Sequence, residues 1–536
     1  MPTSDQSYDY IIVGAGAAGC VLAYRLSADP AIKVLLVEAG PEDRNPLIHF
    51  PRGLVKLMAD PRHCWQMPAT VSDRNVSEIW LRGKMLGGSS SINGMIYVRA
   101  QPEDYADWAA AGVTGWEWDV MREAYRAIEN HELGADDVRG TGGPLNVSVT
   151  KPNPVCDALV AAAAAMGLPA RQDVNRPGQK GVGYSARTVW KGLRVSAAKA
   201  FLKPVRKRPN LTVVTDTLTR RVLFDGTLAV GIECVSGGHD IVYRCRGEVI
   251  LSAGAIHSPA ILQRSGIGPS GLLSTHGIPV VVNSPRVGEN MREHRSIQFQ
   301  FRLRGNRGYN RWMRGPGLLV SGLQYLLLRK GPLAQAAFDV VGFFSTEGRE
   351  RPDAQFLATP MTLDQSERLP VVEKDGGLLI IAYPARPTSQ GSVAITGASE
   401  NAPLDIRGSF MANPEDRKVM GGIATFLREM SRKEPLASLI SHETHPGPAI
   451  EGEDAIVRAA SDGGYCGYHA VGTCAMGPSE GDVLDNRLCV RGAEQLRVID
   501  NSAMPQMVSG NTNAPVMALA WRAADLLLAD RAAQQA

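Results

Sequence analysis

Three glycines near the start of the chain, Gly14, Gly16 and Gly19, restrict what it can fold into more than any other feature. They follow the short apolar run 10–13 and lead into an alanine- and leucine-rich segment with helical periodicity, so the local order is strand, tight turn, helix. In that context each glycine has its own reason. Gly14 allows the turn, Gly16 lets a pyrophosphate approach the backbone, and Gly19 lets the helix lie close on the strand. Phosphates placed there meet free N–H groups at a helix N-terminus. A second apolar run, 33–37, ends in Glu38, 19 positions beyond Gly19 and close to the roughly 20 expected of an acid that grips a ribose. A carboxylate there favours an unphosphorylated adenosine ribose. The unit predicts a dinucleotide site without choosing FAD over NAD.

At 536 residues the chain exceeds one ordinary domain. Its 44% apolar and 21% charged residues are those of a globular protein with a sizeable core. A net charge of +3 from 57 basic and 54 acidic residues creates no broad field for nucleic acid, so the expected ligand is small. The eight cysteines show no C-x-x-C spacing and the first residues do not resemble a signal peptide, which leads to the expectation of a reduced, cytoplasmic setting. No apolar run reaches the roughly 20 residues of a spanning helix, so no transmembrane segment is expected. The basic run 302–314 leads directly into an apolar, helix-like segment, 317–328. A solvated loop is the leading reading there, and contact with a membrane surface or a partner the other.

Residues 44–81 read as an irregular excursion. The loop 82–99, with Gly87, Gly88, three serines and Asn93 between apolar flanks, offers small donors to a polar planar ligand. Two helices are expected within 103–131, with Trp108, Trp116 and Trp118 as packing, and another at 157–166. The runs 211–215, 221–224, 229–235 and 241–246 suggest a small antiparallel sheet, and 248–254 a buried strand returning to the first, parallel sheet. A helix should start near Ser258-Pro259 and stop at Gly266. A strand at 496–499 and a closing helix complete the pattern.

Taken together, these motifs resemble the glucose–methanol–choline (GMC) oxidoreductases, FAD enzymes that oxidise alcohols. Residues 83–93 fit the family's first signature and 254–268 its second, while His469-Ala-Val-Gly-Thr-Cys474 and Asn511-Thr-Asn513 look like its active-site pair. Gly40-Pro41, residues 45–49 and residues 87–93 are similar to the bacterial choline and aliphatic alcohol dehydrogenase branch. The resemblance implies an α/β (α+β) fold: a Rossmann-like FAD-binding domain, discontinuous in sequence, and a substrate domain built on an antiparallel sheet flanked by helices. The expected division is 1–150, 196–297 and 463–536 for FAD, 298–462 for substrate, and a crossing at 151–195. It also implies an ADP half on Gly14, Gly16, Ala17, Ala18, Glu38 and Ala39, with Val222 near the adenine and Gly87 and Ser89 in the signature loop. The flavin would lie against Asn93, Gly94, Met95 and Ile96, with Asp500 and Thr512 reaching its ribityl and pyrimidine side, and Tyr468 and Asn511 as further contacts. Ile92 stands where a covalently linked flavin would need a histidine, so non-covalent FAD is expected.

Alcohol oxidation needs a proton acceptor, a hydride acceptor and a group to hold the oxygen as it gains charge. On the resemblance, His469 is the base, Asn511 the donor to the same oxygen, and His294 a structural residue. His442 and His445 lack a third ligand, so no metal site is expected. The expected substrate is a hydrophobic aliphatic or aryl primary alcohol, with Trp65, Tyr309, Trp312, Phe338, Phe343, Phe344, Tyr465 and Tyr468 as candidate pocket aromatics. No carboxylate cage for choline is recognisable. The expected acceptor is a quinone or oxygen, with peripheral membrane contact left open. A flavin-containing lyase, a flavin photodecarboxylase and a non-catalytic flavin-binding protein are the alternatives on the same fold.

Overall fold

A computed structural model describes residues 7–72, 76–178, 180–364 and 371–535. Strand β1 (Ser7–Val13) is buried from Tyr8 onward and pairs in parallel with β2 (Val34–Val37), Tyr10 facing Val34. Its other edge pairs in parallel with the second half of a 13-residue strand, His239–Leu251, so that Val13 faces Leu251. Buried on both faces, these strands are apolar almost without interruption, as a covered parallel sheet requires. Helix α1 (Ala17–Leu26) runs between β1 and β2.

The expectation of a small antiparallel sheet over 211–246 holds only for its later strands, and these continue the sheet of β1 and β2. Thr217–Asp225, Leu228–Ser236 and the first half of His239–Leu251 form an antiparallel meander. Leu211–Val214 instead pairs in parallel with β2, which makes it the edge of the nucleotide-type sheet. The runs at 241–246 and 248–254 are one strand as far as Leu251. Gly247, which reads as a break between them, lies opposite an irregularity in β1, where a Cβ would come within 2.2 Å of the Asp9 carbonyl. The excursion at 44–81 contains a hairpin, Cys64–Thr70 against Ser77–Gly83, that its mixed burial pattern and Pro68 conceal.

The second large sheet is antiparallel, in the order Ile440–His445, Arg295–Leu303, Gly377–Pro384, Ala354–Thr359, Val340–Phe344 and Gly181–Tyr184. Its faces separate with the period of two that strand geometry imposes. On Gly377–Pro384, Leu378, Ile380 and Ala382 join the core beneath helix Pro414–Ser431, while Leu379, Ile381 and Tyr383 face an internal cavity.

Helix Gly254–Arg264 begins four residues before the start that Ser258-Pro259 suggests, and Pro259 lies inside it. Proline has no N–H, so the Ala255 carbonyl loses its i+4 donor. Thr473 Oγ1 takes that place, donating to Ala255 O at 2.7 Å. The Asp500 carboxylate accepts from Gly254 N (2.8 Å) and Ser258 Oγ (2.6 Å), satisfying the helix N-terminus. The first turn is therefore built by residues more than 200 positions away.

Thr473→Val should lower the free energy of unfolding by about 1–2 kcal/mol, the cost of leaving a buried carbonyl without a donor. Measured by chemical denaturation, that loss should shrink in a Pro259→Ala background, where residue 259 regains its N–H. Equal losses in both backgrounds would show that the carbonyl contact is not the cause.

Candidate active site

A cavity of about 780 Å³ runs from the β1–α1 turn to the inner face of the antiparallel sheet. At the turn, Gly14 has φ +100°, and a Cβ on Gly19 would sit 1.9 Å from the Gly14 carbonyl. Both glycines are explained by the protein itself. Gly16 is not: a Cβ there would meet nothing nearer than 3.9 Å, so only a cavity occupant needs that space. Glu38 on the wall accepts from Ala15 N (2.8 Å) and Gly40 N (3.0 Å), yet burial pushes its carboxyl up to about 7. Asn501, which lines the cavity, gives its amide N–H to Thr512 Oγ1 (3.0 Å), and its buried Oδ1 has no partner among the described residues.

At the far end, His469 Nε2 lies 3.0 Å from Asn511 Nδ2, and His469 Nδ1 lies 2.9 Å from His294 Nδ1. The protons in this chain of contacts can be placed from one end. His294 Nε2 is 3.0 Å from the Ala385 carbonyl, which only accepts, so Nε2 carries hydrogen. Burial holds the His294 imidazole down at about 4, so it is neutral and its Nδ1 is bare. His469 must then donate through Nδ1, leaving Nε2 as an acceptor. Burial first, then neighbouring His294 and the Arg82 charge, hold His469 well below its ordinary value. Asn511 Nδ2 donates to that bare nitrogen, while its Oδ1 accepts from Gln355 Nε2 (3.2 Å), whose Oε1 accepts from Tyr383 Oη (2.8 Å).

The backbone explains the approach of the two histidines. Glu293 Oε1 accepts from both His294 N (2.8 Å) and His469 N (2.7 Å), and its other oxygen faces Arg82 (3.3 Å). Tyr468 adopts φ +60°, and a Cβ at Gly467 would lie 2.8 Å from His294 Cβ and 3.0 Å from His469 Nδ1. Tyr383 stacks on His294 with centroids 4.4 Å apart. His294, expected to be structural, is thus in direct contact with the candidate base.

Residues 8–296 and 387–520 match the N-terminal and C-terminal models of one family, described as GMC oxidoreductase. The chain belongs to the GMC oxidoreductases. It is 38% identical over 540 residues to the mitochondrial choline dehydrogenase of Homo sapiens, covering 98% of this chain and 90% of that protein. It is 37% identical over 536 residues to the alcohol dehydrogenase (acceptor) of Pseudomonas putida, covering 97% and 96%. The crystal structure of pyridoxine 4-oxidase from Mesorbium loti superposes with a TM-score of 0.87 at 28% identity, covering 97% of this chain and 99% of that one. As a GMC oxidoreductase the protein is an FAD-dependent enzyme acting on CH–OH donors.

The cavity suits FAD on the space kept free at Gly16 and on a continuous lining that runs from the turn glycines to His469 and Asn511. Gly14, Gly16, Ala17, Ala18, Glu38 and Ala39 line one end; Ser89, Asn93, Gly94, Met95 and Ile96 the middle; Tyr468, His469, Asp500, Asn511 and Thr512 the remainder. Gly87 and Val222 do not line it. Gly87 gives its N–H to the Ala15 carbonyl (2.8 Å), bracing the loop from behind, and the Val222 side chain is buried in the core with its N–H on Ser265 Oγ (2.8 Å). Of the candidate aromatics, Trp65, Phe338, Tyr465 and Tyr468 line the cavity; Phe343 and Phe344 are buried in the adjoining cores, Tyr309 is bonded to Asp339, and Trp312 is on the surface. Sequence reasoning missed Glu293, Gln355, Tyr383 and His257, which pairs with Trp65 at 4.7 Å. None carries a local signal beyond Glu293, which sits beside His294 in a recognisable loop.

Because His469 holds a proton more weakly than the ~6.5 of a free imidazole, it stays unprotonated to lower pH. The acid limb of kcat/KM, measured with a neutral alcohol, should therefore lie below pH 6.5, with activity flat above it. A limb above pH 7 would contradict a neutral His469 with its proton on Nδ1.

Proposed function

We propose that this enzyme oxidises a hydrophobic primary alcohol, aliphatic or aryl, to the aldehyde, using non-covalently held FAD and passing electrons to a quinone-type acceptor or oxygen. The observation that carries this reading is a bare imidazole nitrogen, His469 Nε2, beside an amide donor on an apolar wall. Phe338, Leu357, Leu379, Ile381 and Tyr383 surround that end, with Ser296 and Gln298 as its polar members. The carboxylates on the cavity wall are engaged elsewhere: Glu38 by backbone N–H groups, Asp500 by the helix start, and Glu400 by Arg220 at 3.1 Å. Glu293, beside His469, is held by two backbone N–H groups and Arg82 and does not line the cavity, so among the described residues a quaternary ammonium finds no free carboxylate on the wall, which favours a neutral alcohol over choline.

The substrate hydroxyl displaces the Asn511 N–H as donor to His469 Nε2, and the released amide N–H turns to the substrate oxygen and holds it as it gains charge. As Nε2 takes the proton, the Nδ1–H bond to His294 spreads the new positive charge, and Ala385 keeps His294 ready to accept it. Bound FAD supplies the hydride acceptor. Ile92 supports the non-covalent reading: it is a hydrocarbon side chain packed with Ile48, Leu57 and Met85.

In anaerobic stopped flow, His469→Ala should slow flavin reduction by a good primary alcohol by about 10²–10⁴-fold, the range for loss of a general base. Asn511→Ala should cost less, since the base remains, and both variants should retain FAD. A His469→Ala protein that reduced its flavin at the normal rate would overturn the mechanism and bring the lyase reading forward. Acid denaturation should release intact FAD from the wild type, and flavin left on the precipitated chain would refute non-covalent binding.

A further inference from the structure

The helix Gly315–Leu328 buries only Ser321 and Tyr325. Tyr325 holds it to the body, its ring against Phe50 (4.9 Å) and its hydroxyl on the Gly192 carbonyl (2.9 Å). Leu319, Val320, Leu323, Leu326 and Leu327 follow the i, i+1, i+4, i+7, i+8 pattern and fall on one arc, opposite those two anchors. That arc faces outward, with Leu319 72% and Leu327 79% exposed. Of the twelve exposed large apolar side chains among the described residues, seven lie on this one helix and Trp312 immediately precedes it. A contiguous patch of this kind marks an interaction surface.

The surrounding charge identifies the partner. Arg311 and Arg314 stand before the helix and Arg329 and Lys330 after it, all exposed, and none forms a salt bridge with a described residue. From Arg302 to Phe338 the sequence has seven basic residues and no acidic one. Arg329 also borders a cleft of about 520 Å³ with Lys199, Lys203 and Arg206, where Glu42 and Asp43 are the acids and Glu42 pairs with Arg206. Burial, with Lys203 and Arg329 next, lowers the pKa of Lys199, a sign of concentrated positive charge. Among the described residues no helix is long and apolar enough to cross a membrane, and 14 residues span only about 21 Å against a hydrocarbon core of about 30 Å.

We infer that this helix lies in the plane of an anionic phospholipid bilayer, its leucine arc in the acyl boundary and its flanking arginines on the headgroups. An apolar arc with basic ends and a tryptophan at its start is the composition of an interfacial helix. Beyond it, Pro332–Ala334 packs on Pro51–Gly53, and Ala337, Phe338, Leu54 and Met58 lie on the cavity wall. Docking would therefore set the cavity beside the phase where apolar alcohols and quinones partition, a consequence that rests on the proposed function. The surface itself does not.

The holoenzyme should sediment with phosphatidylcholine vesicles containing phosphatidylglycerol, and much less with phosphatidylcholine alone or at high salt. Leu319→Glu/Leu323→Glu/Leu326→Glu changes only exposed positions to good helix formers and should weaken vesicle binding at least about tenfold, with turnover on a soluble dye unchanged. Arg311→Gln/Arg314→Gln/Lys330→Gln should remove the preference for phosphatidylglycerol. Wild type that stays in the supernatant, or a triple-glutamate variant that binds like wild type, would overturn the inference. So would a wild-type dimer without vesicle binding that the triple-glutamate variant dissociates, since a second copy would then cover the face. Vesicle binding without alcohol turnover would leave this surface intact and refute the substrate reading alone.

Discussion

The strand His239–Leu251 is the pairing on which the rest of the molecule depends. One edge carries β1, and through it the dinucleotide turn; the other carries Leu228–Ser236 along its first half and Leu496–Val498 along its last three residues. That short C-terminal strand leads directly into Asp500 and Asn501, and the chain reaches Asn511 and Thr512 soon after. The two edges of one strand therefore position the β1–α1 turn and the Asp500–Thr512 end of the cavity relative to each other.

The second constraint is a carbonyl. Because Ala385 O can only accept, it fixes which nitrogen of His294 is protonated, and that choice passes to His469 and leaves its Nε2 bare. The same burial that keeps both rings neutral strengthens the hydrogen bonds between them. The proton placement on His469 is a property of the chain of contacts and not of that histidine alone. Thr473, four residues beyond His469, ties the same loop to helix Gly254–Arg264, so His469 and the helix whose N-terminus meets Asp500 are held as one body.

The two faces of the antiparallel sheet divide the work. Alternate residues of Gly377–Pro384 pack under the helices or face the cavity, which gives the reacting end a wall that is apolar and set by rigid strands. The leucine helix departs from this economy. It leaves apolar side chains in water that the core does not use, and such an arrangement is explained by a surface to be covered rather than by folding.

The sequence by itself determined what is set within a few residues. Gly14, Gly16, Gly19 and Glu38 mark the strand–turn–helix unit, and with it the expectation of a dinucleotide site, because turn and helix start are local. The signature motifs placed the family, the cofactor and the pair His469 and Asn511 in one expectation. Only the tertiary structure decided that Leu211–Val214 joins the parallel sheet, since an apolar run carries no mark of its partner. Only it showed that Pro259 sits inside its helix, because the donor that replaces the missing N–H comes from Thr473. His294 and His469 are 175 positions apart and share no periodicity. They meet because Arg295 pairs with Cys466 and the Gly467 N–H reaches the His294 carbonyl at 2.7 Å, which brings the two loops together at the cavity. Local chemistry is written in neighbouring residues, whereas contacts across hundreds of positions depend on which strands find each other, and that choice is made by burial summed over the whole chain.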